Sequence, residues 1–95
     1  MSNNNKKQFL QKKVTIGDVE YTFQKLPTKK ALEIKQKWLD QNNNVIELTM
    51  CEQLLEHVVV NPKRSVDDYD DVSELMTVCI QASNFQYGGK FSKNM

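Results

Sequence analysis

Arginine is nearly missing from this chain: one residue, Arg64, stands beside twelve lysines in 95 positions. Arginine reads base edges through a planar two-pronged fork, which lysine does not replace. Sequence-specific nucleic-acid binding is therefore not expected, although "SNNNKKQFLQKK" forms a basic arm and Lys29, Lys30, Lys35 and Lys37 decorate one segment. Histidine is also single. His57 has no serine or cysteine beside it in sequence, so spacing gives no catalytic triad. One histidine and two distant cysteines supply no metal-ligand pattern. Those cysteines, Cys51 and Cys79, form no CxxC pair and no disulfide framework. They read as small hydrophobes in a reducing compartment. No apolar run approaches the ~18–20 residues of a membrane span, and "MSNNNKKQF" lacks the apolar region of a signal peptide. The expectation is a protein used inside a cell, off the membrane, with no catalytic residue, no cofactor and no metal.

What is present suits one small domain. Charged residues make up 26% and hydrophobic ones 39%. A chain of this length buries only roughly 60–65% of the surface its unfolded form exposes. Its core must therefore use most of the apolar residues, leaving few for a deep cleft. Net charge is +1 but unevenly spread. Residues 1–40 carry nine lysines against four acids, and residues 41–95 carry four bases against eight acids. A basic front and an acidic back can orient a partner or favour self-association; the plainer alternative is solvated surface of both signs.

The pattern along the chain predicts an α+β fold: an N-terminal β-hairpin followed by three α-helices in one domain over 12–87, with flexible tails at 1–11 and 88–95. In "KKVTIGDVEYTFQKL" Val14 and Ile16 alternate with polar residues, and Val19, Tyr21 and Phe23 do the same. Gly17-Asp18 between them suits a two-residue type II′ turn with glycine first. That turn sets Ile16 opposite Val19 and Val14 opposite Tyr21, so every apolar residue lands on one face. A lone hairpin is marginal in water and needs a cover. Three helices supply it, at about 29–40, 45–60 and 71–86. Thr28 is the expected cap of the first, whose inward face is Ala31, Ile34 and Trp38. The second carries its stripe on Leu48, Cys51, Leu54, Leu55 and Val58, with Val59 and Val60 closing its end before Asn61-Pro62 stops it. His57 is expected to look outward beside Glu56. Asp70 or Asp71 caps the third helix, whose stripe is Val72, Leu75, Met76, Cys79 and Ala82.

Two short strings imitate known sites. The run "DDYDD" invites a calcium loop, but that loop needs glycine at its sixth position and glutamate at its twelfth. Counting from Asp67 puts Tyr69 third and Val72 sixth, so helix capping is the better account. "YGGKFS" imitates a phosphate loop, yet Asn84 stands where the first glycine belongs and Phe91 where the hydroxyl belongs.

The order of strings carries a resemblance. "EYTFQKLPTKKALEI", "LLEHVVVNPK" and the "VDDYDD" connector before the last helix, within residues 12–90, resemble the small tail assembly chaperones of long-tailed bacteriophages, especially those infecting Gram-positive bacteria. The resemblance implies a non-enzymatic protein that binds the tape measure protein, keeps it soluble and helps recruit tail tube protein. It implies work in the host bacterial cytoplasm, absence from the mature virion, and a longer product made by ribosomal frameshifting, for which the codons of the "GGK" string are suited. The readings kept beside it are another small morphogenesis factor for tail completion or head-tail joining, and a small nucleic-acid-binding regulator. Trp38, Tyr69 and Phe85 are assigned to the core, while Tyr87, Lys90 and Phe91, placed beyond the last regular turn, are the candidate partner contacts. Truncation after Phe85 is accordingly expected to spare the fold and weaken binding.

Overall fold

The computed structural model describes residues 10–88. The hairpin forms as the turn chemistry requires. Strand β1 (Gln11–Ile16) pairs antiparallel with β2 (Val19–Gln24), with Ile16 opposite Val19 and Val14 opposite Tyr21. Gly17 sits at φ 61, and Asp18 is not left-handed, which is the type II′ arrangement. Ile16, Tyr21 and Phe23 are buried and Val14 and Val19 half-buried on the same face. The tail expected over 1–11 is corrected at its inner end, because Gln11 is already in the strand and the Leu10 carbonyl accepts from Lys25 N–H at 2.8 Å; residues 1–9, and 89–95 of the tail expected at 88–95, lie outside the described residues.

Helix α1 (Thr28–Lys37) starts at the predicted cap itself, one residue earlier than expected. Pro27 occupies the cap position, Thr28 is the first helical residue, and no side chain closes that end. Proline fixes φ near the helical value and starts the helix through geometry rather than through a hydroxyl. The helix buries Ala31 and Ile34, and Trp38 closes it at 2% exposure. Next, the loop 40–44 winds around the Asp40 carboxylate, which accepts from the amides of Asn42 at 2.7 Å and Asn44 at 2.9 Å. Those two bonds hold the Asp40 carboxyl below its ordinary range, the Asn44 amide contributing most.

Helix α2 (Glu47–His57) is shorter than the predicted 45–60 at both ends. Val45 bridges Leu39, and Val59–Asn61 forms a third strand, β3, antiparallel to β2. The expectation that Val59 and Val60 end a helix is therefore corrected. Three successive valines lose side-chain freedom in a helix and fit a pleated surface, and the outer edge of β2 offers unpaired backbone groups to receive them. Phe23 lies opposite Val59 and Thr22 opposite Asn61, with a register shift between the two pairs. The sheet order is β1-β2-β3. After it, a single 3-10 turn (Val66–Asp68) is closed by a reciprocal cap: Ser65 N–H donates to the Asp68 carboxylate while Asp68 N–H bonds back to Ser65.

Helix α3 (Val72–Tyr87) is capped by Asp71, which accepts from Ser73 N–H at 2.9 Å. The Ser73 hydroxyl and amide together keep the Asp71 carboxyl below its ordinary range. One contiguous core joins the sheet to all three helices through Tyr21, Phe23, Ile34, Trp38, Leu54, Val58, Val59, Val78 and Cys79. Two stripe residues depart from expectation. Leu48 and Val72 are 57% and 72% exposed. Both sit in the first turn of their helices. Gly88 ends α3 at close quarters: a Cβ there would stand 2.6 Å from the Asn84 carbonyl oxygen, so only glycine leaves the chain its path.

Candidate functional site

His57 ends α2 and is partly buried. Its Nε2 stands 3.8 Å from a Glu56 carboxylate oxygen. Burial pulls its pKa below the ordinary 6.5, against the opposing pull of Glu56. Among the described residues no hydroxyl or thiol is hydrogen-bonded to it. Among the described residues no cluster of three or more histidine, cysteine, aspartate or glutamate side chains is placed to hold a metal. Both thiols are buried and free, with Cys51 Sγ 3.8 Å from Met76 Sδ. Burial raises the pKa of each, which leaves them protonated and unreactive.

A hollow of about 670 Å³ runs between α2 and the connector after β3. Glu52, Glu56 and Asp67 line it opposite Lys63 and Arg64. Its two basic groups are already committed. The Lys63 ammonium donates to the Leu55 carbonyl at 3.2 Å and to the Glu56 carbonyl, closing the negative end of α2. Ser65 is held by Asp68. The Gln53 side-chain oxygen is buried there without a hydrogen-bond partner among the described residues.

Arg64 explains much about the connector. Its guanidinium lies 5.9 Å from the Tyr21 ring centre and 5.5 Å from that of Tyr69. It donates to the Tyr21 hydroxyl at 3.2 Å, and the Tyr69 hydroxyl donates to the same oxygen at 3.1 Å. Burial, then the Tyr21 hydroxyl, push the Tyr69 pKa up. Arg64 also approaches Glu74 at 3.9 Å. The sole arginine thus pins "DDYDD" to the sheet. Sequence reasoning assigned Tyr69 to the core, against which it packs half-buried; it did not find Arg64 as its partner.

The C-terminal turn of α3 is a second clamp. Gln86, 8% exposed, accepts from Leu26 N–H at 2.7 Å and donates to the Leu26 carbonyl at 3.4 Å. Lys25 Nζ donates to the Phe85 carbonyl at 2.7 Å and lies over the Phe85 ring. The Tyr87 hydroxyl donates to the Ala31 carbonyl at 2.6 Å, and its ring meets Trp38 edge-on at 5.5 Å. Of the three candidate contacts, Tyr87 therefore lies inside the last helical turn rather than beyond it and is engaged internally. Lys90 and Phe91 lie outside the described residues.

The surface does carry unspent apolar area. Leu32 on α1, Leu48 on α2, and Val72 and Ile80 on α3 are each at least half exposed. Helices α2 and α3 meet through Cys51 and Met76, and the neighbours Lys63 and Arg64 bring the end of α2 near the start of α3. Leu48 stands one turn before Cys51 and Ile80 one turn after Met76. Leu32 stands one turn from Thr28, Lys29, Lys35 and Gln36, so it is apolar ground bordered by positive charge. Among the described residues no helix is long and apolar enough to cross a membrane. No family model, no curated protein and no solved structure matches the chain.

Proposed function

We propose that this chain is a non-enzymatic protein-binding module of the tail assembly chaperone type, one that holds a tape measure protein soluble while tail tube subunits gather. The observation that carries the reading is the set of half-exposed aliphatic side chains on all three helices, Leu32, Leu48, Val72 and Ile80, around a core that is otherwise complete. A small domain that leaves such residues outside offers apolar ground to another molecule. A long helical client with apolar faces is aggregation-prone until it is enclosed. Many weak copies along it hold by avidity, and each releases when a tube subunit takes its place. The internal engagement of Arg64 weighs against the nucleic-acid regulator, because the side chain best suited to base edges is held between two tyrosines. Lys90 and Phe91 stay in the proposal as partner contacts.

Co-expression with the long protein encoded next to this chain tests it. Soluble co-purification that weakens when Leu48 and Ile80 are both changed to serine is the expected result. Continued precipitation of the long protein, with no complex formed, overturns the reading. A retarded DNA band that dissolves with added salt would favour the regulator instead.

A further inference from the structure

The sheet leaves one long edge open. β1 is the outer strand on its side, and among the described residues nothing pairs with it. Its backbone alternates. The bond from Lys25 N–H to the Leu10 carbonyl marks the inward-bonded residues as Leu10, Lys12, Val14 and Ile16, in step with the turn at Gly17. The N–H and C=O groups of Gln11, Lys13 and Thr15 therefore point away from β2, into solvent. β3, the other edge, is only three residues long. A six-residue open edge is a template for another strand unless something blunts it.

Two further features lie along that edge. The first is a groove of about 290 Å³ between β1 and α3, with Val14, Phe23 and Phe85 as its apolar floor and Gln81 and Asn84 as its polar rim. A strand added beside β1 would send every second side chain toward this groove, in line with Val14. The second is charge. Lys12 and Lys13 sit mid-strand, Lys12 at the groove, and among the described residues neither has an acid within salt-bridge distance. These lysines block pairing with a second copy. An antiparallel β1–β1 register sets lysine against or beside lysine, and like charges opposed across strands are destabilising. An acidic strand meets the opposite condition.

We propose that the β1 edge is a strand-addition site for an extended, acidic segment of a partner protein, with small aliphatic side chains alternating into the groove beside Lys12 and carboxylates on the opposite face alongside Lys13. Main-chain bonds to Gln11, Lys13 and Thr15 supply affinity, and the groove with its lysines supplies selection. The site lies apart from the helical faces named above and does not depend on the tail-chaperone reading.

The test uses the full chain, isotope-labelled for NMR, and two probes: the acetylated, amidated peptide Glu-Val-Thr-Val-Glu-Val-Thr and its counterpart with lysine in place of each glutamate. The acidic peptide is expected to give saturable shifts and slowed exchange at the amides of Gln11, Lys13 and Thr15, with at least about tenfold tighter binding than the basic one, a difference lost as salt is raised. Lys13→Pro removes an outward N–H without touching a bond to β2, so the hairpin survives. It is expected to abolish binding, and Lys13→Glu to reverse the charge preference. Methylating the backbone nitrogens of the acidic peptide should also abolish binding. Circular dichroism confirms that each variant is folded, and Thr15→Pro replaces Lys13→Pro if that variant is not. Three results overturn the proposal: no saturable shift with either peptide, binding indifferent to proline and N-methylation, or slow exchange of the three amides in the free chain that disappears on deleting residues 1–9 or 89–95. The last would give the edge to the chain's own termini.

Discussion

Gln86 is the buried polar side chain of the described core, and its amide does the work of a strand residue where β2 has ended. Changing it to alanine strips partners from both the N–H and the carbonyl of the half-buried Leu26. The expected cost is about 1–3 kcal/mol, read as a lower urea midpoint with an unchanged slope. His57 acts on stability through protons. Its folded-state pKa is below the ordinary 6.5, so the unfolded chain takes up the proton first. Its contribution is complete above pH 6.5 and is lost as pH falls from there through the folded value. His57→Gln should flatten that part of the decline when urea midpoints are compared from about pH 8 to about pH 5. These residue roles were unevenly legible in the sequence. That His57 has no second histidine beside it could be read from residue counts alone. The roles of Gln86, Tyr87 and Arg64 could not, because their partners at Leu26, Ala31 and Tyr21 stand far away along the chain and no periodicity connects them.

At the scale of the element, the hairpin was legible to the register because turn chemistry and alternation act between neighbours and agree. β3 was hidden for the opposite reason: "VVV" after a helix is a strand only because β2 has an edge to give it. The stripe of α2 shows a different gap. Helical angle tells which way a residue points, not whether anything stands there. Leu54→Ala, at full burial, should cost about 2–5 kcal/mol. Leu48→Ala, on the same stripe but 57% exposed, should stay within about 0.5 kcal/mol. Denaturant melts of the two variants make the comparison. The last turn of α3 reverses the expectation for truncation. A chain ending after Phe85 loses the Gln86 and Tyr87 bonds and the Trp38 contact, and should lose at least about 2 kcal/mol. A chain ending after Gly88 keeps them and should melt like the parent, which makes it the clean variant for asking whether Lys90 and Phe91 touch a partner.

Over the whole molecule, one core reaches from the sheet through all three helices, and no element buries its apolar face alone. Unfolding should therefore be a single transition. Trp38 reports on it independently of backbone signals, being 2% exposed and set against Tyr87. Its fluorescence and the helical circular dichroism should change with the same midpoint; separated midpoints would mean that the α1 end opens before the rest. The charge division read from sequence survives folding as a basic α1 and an acidic stretch around the start of α3, exposed at Lys29, Lys30, Asp70 and Asp71.

Gly88 carries a consequence at the level of the messenger. Because any Cβ there collides with the Asn84 carbonyl, side-chain sterics alone hold the first two bases of that codon as guanines. Under the tail-chaperone proposal, which expects slippage over Gly88, Gly89 and Lys90, replacing Gly88 would confound a disturbed helix end with a changed reading frame. Silent recoding of the third bases separates them, since it alters the nucleotide run and leaves every atom of the polypeptide in place.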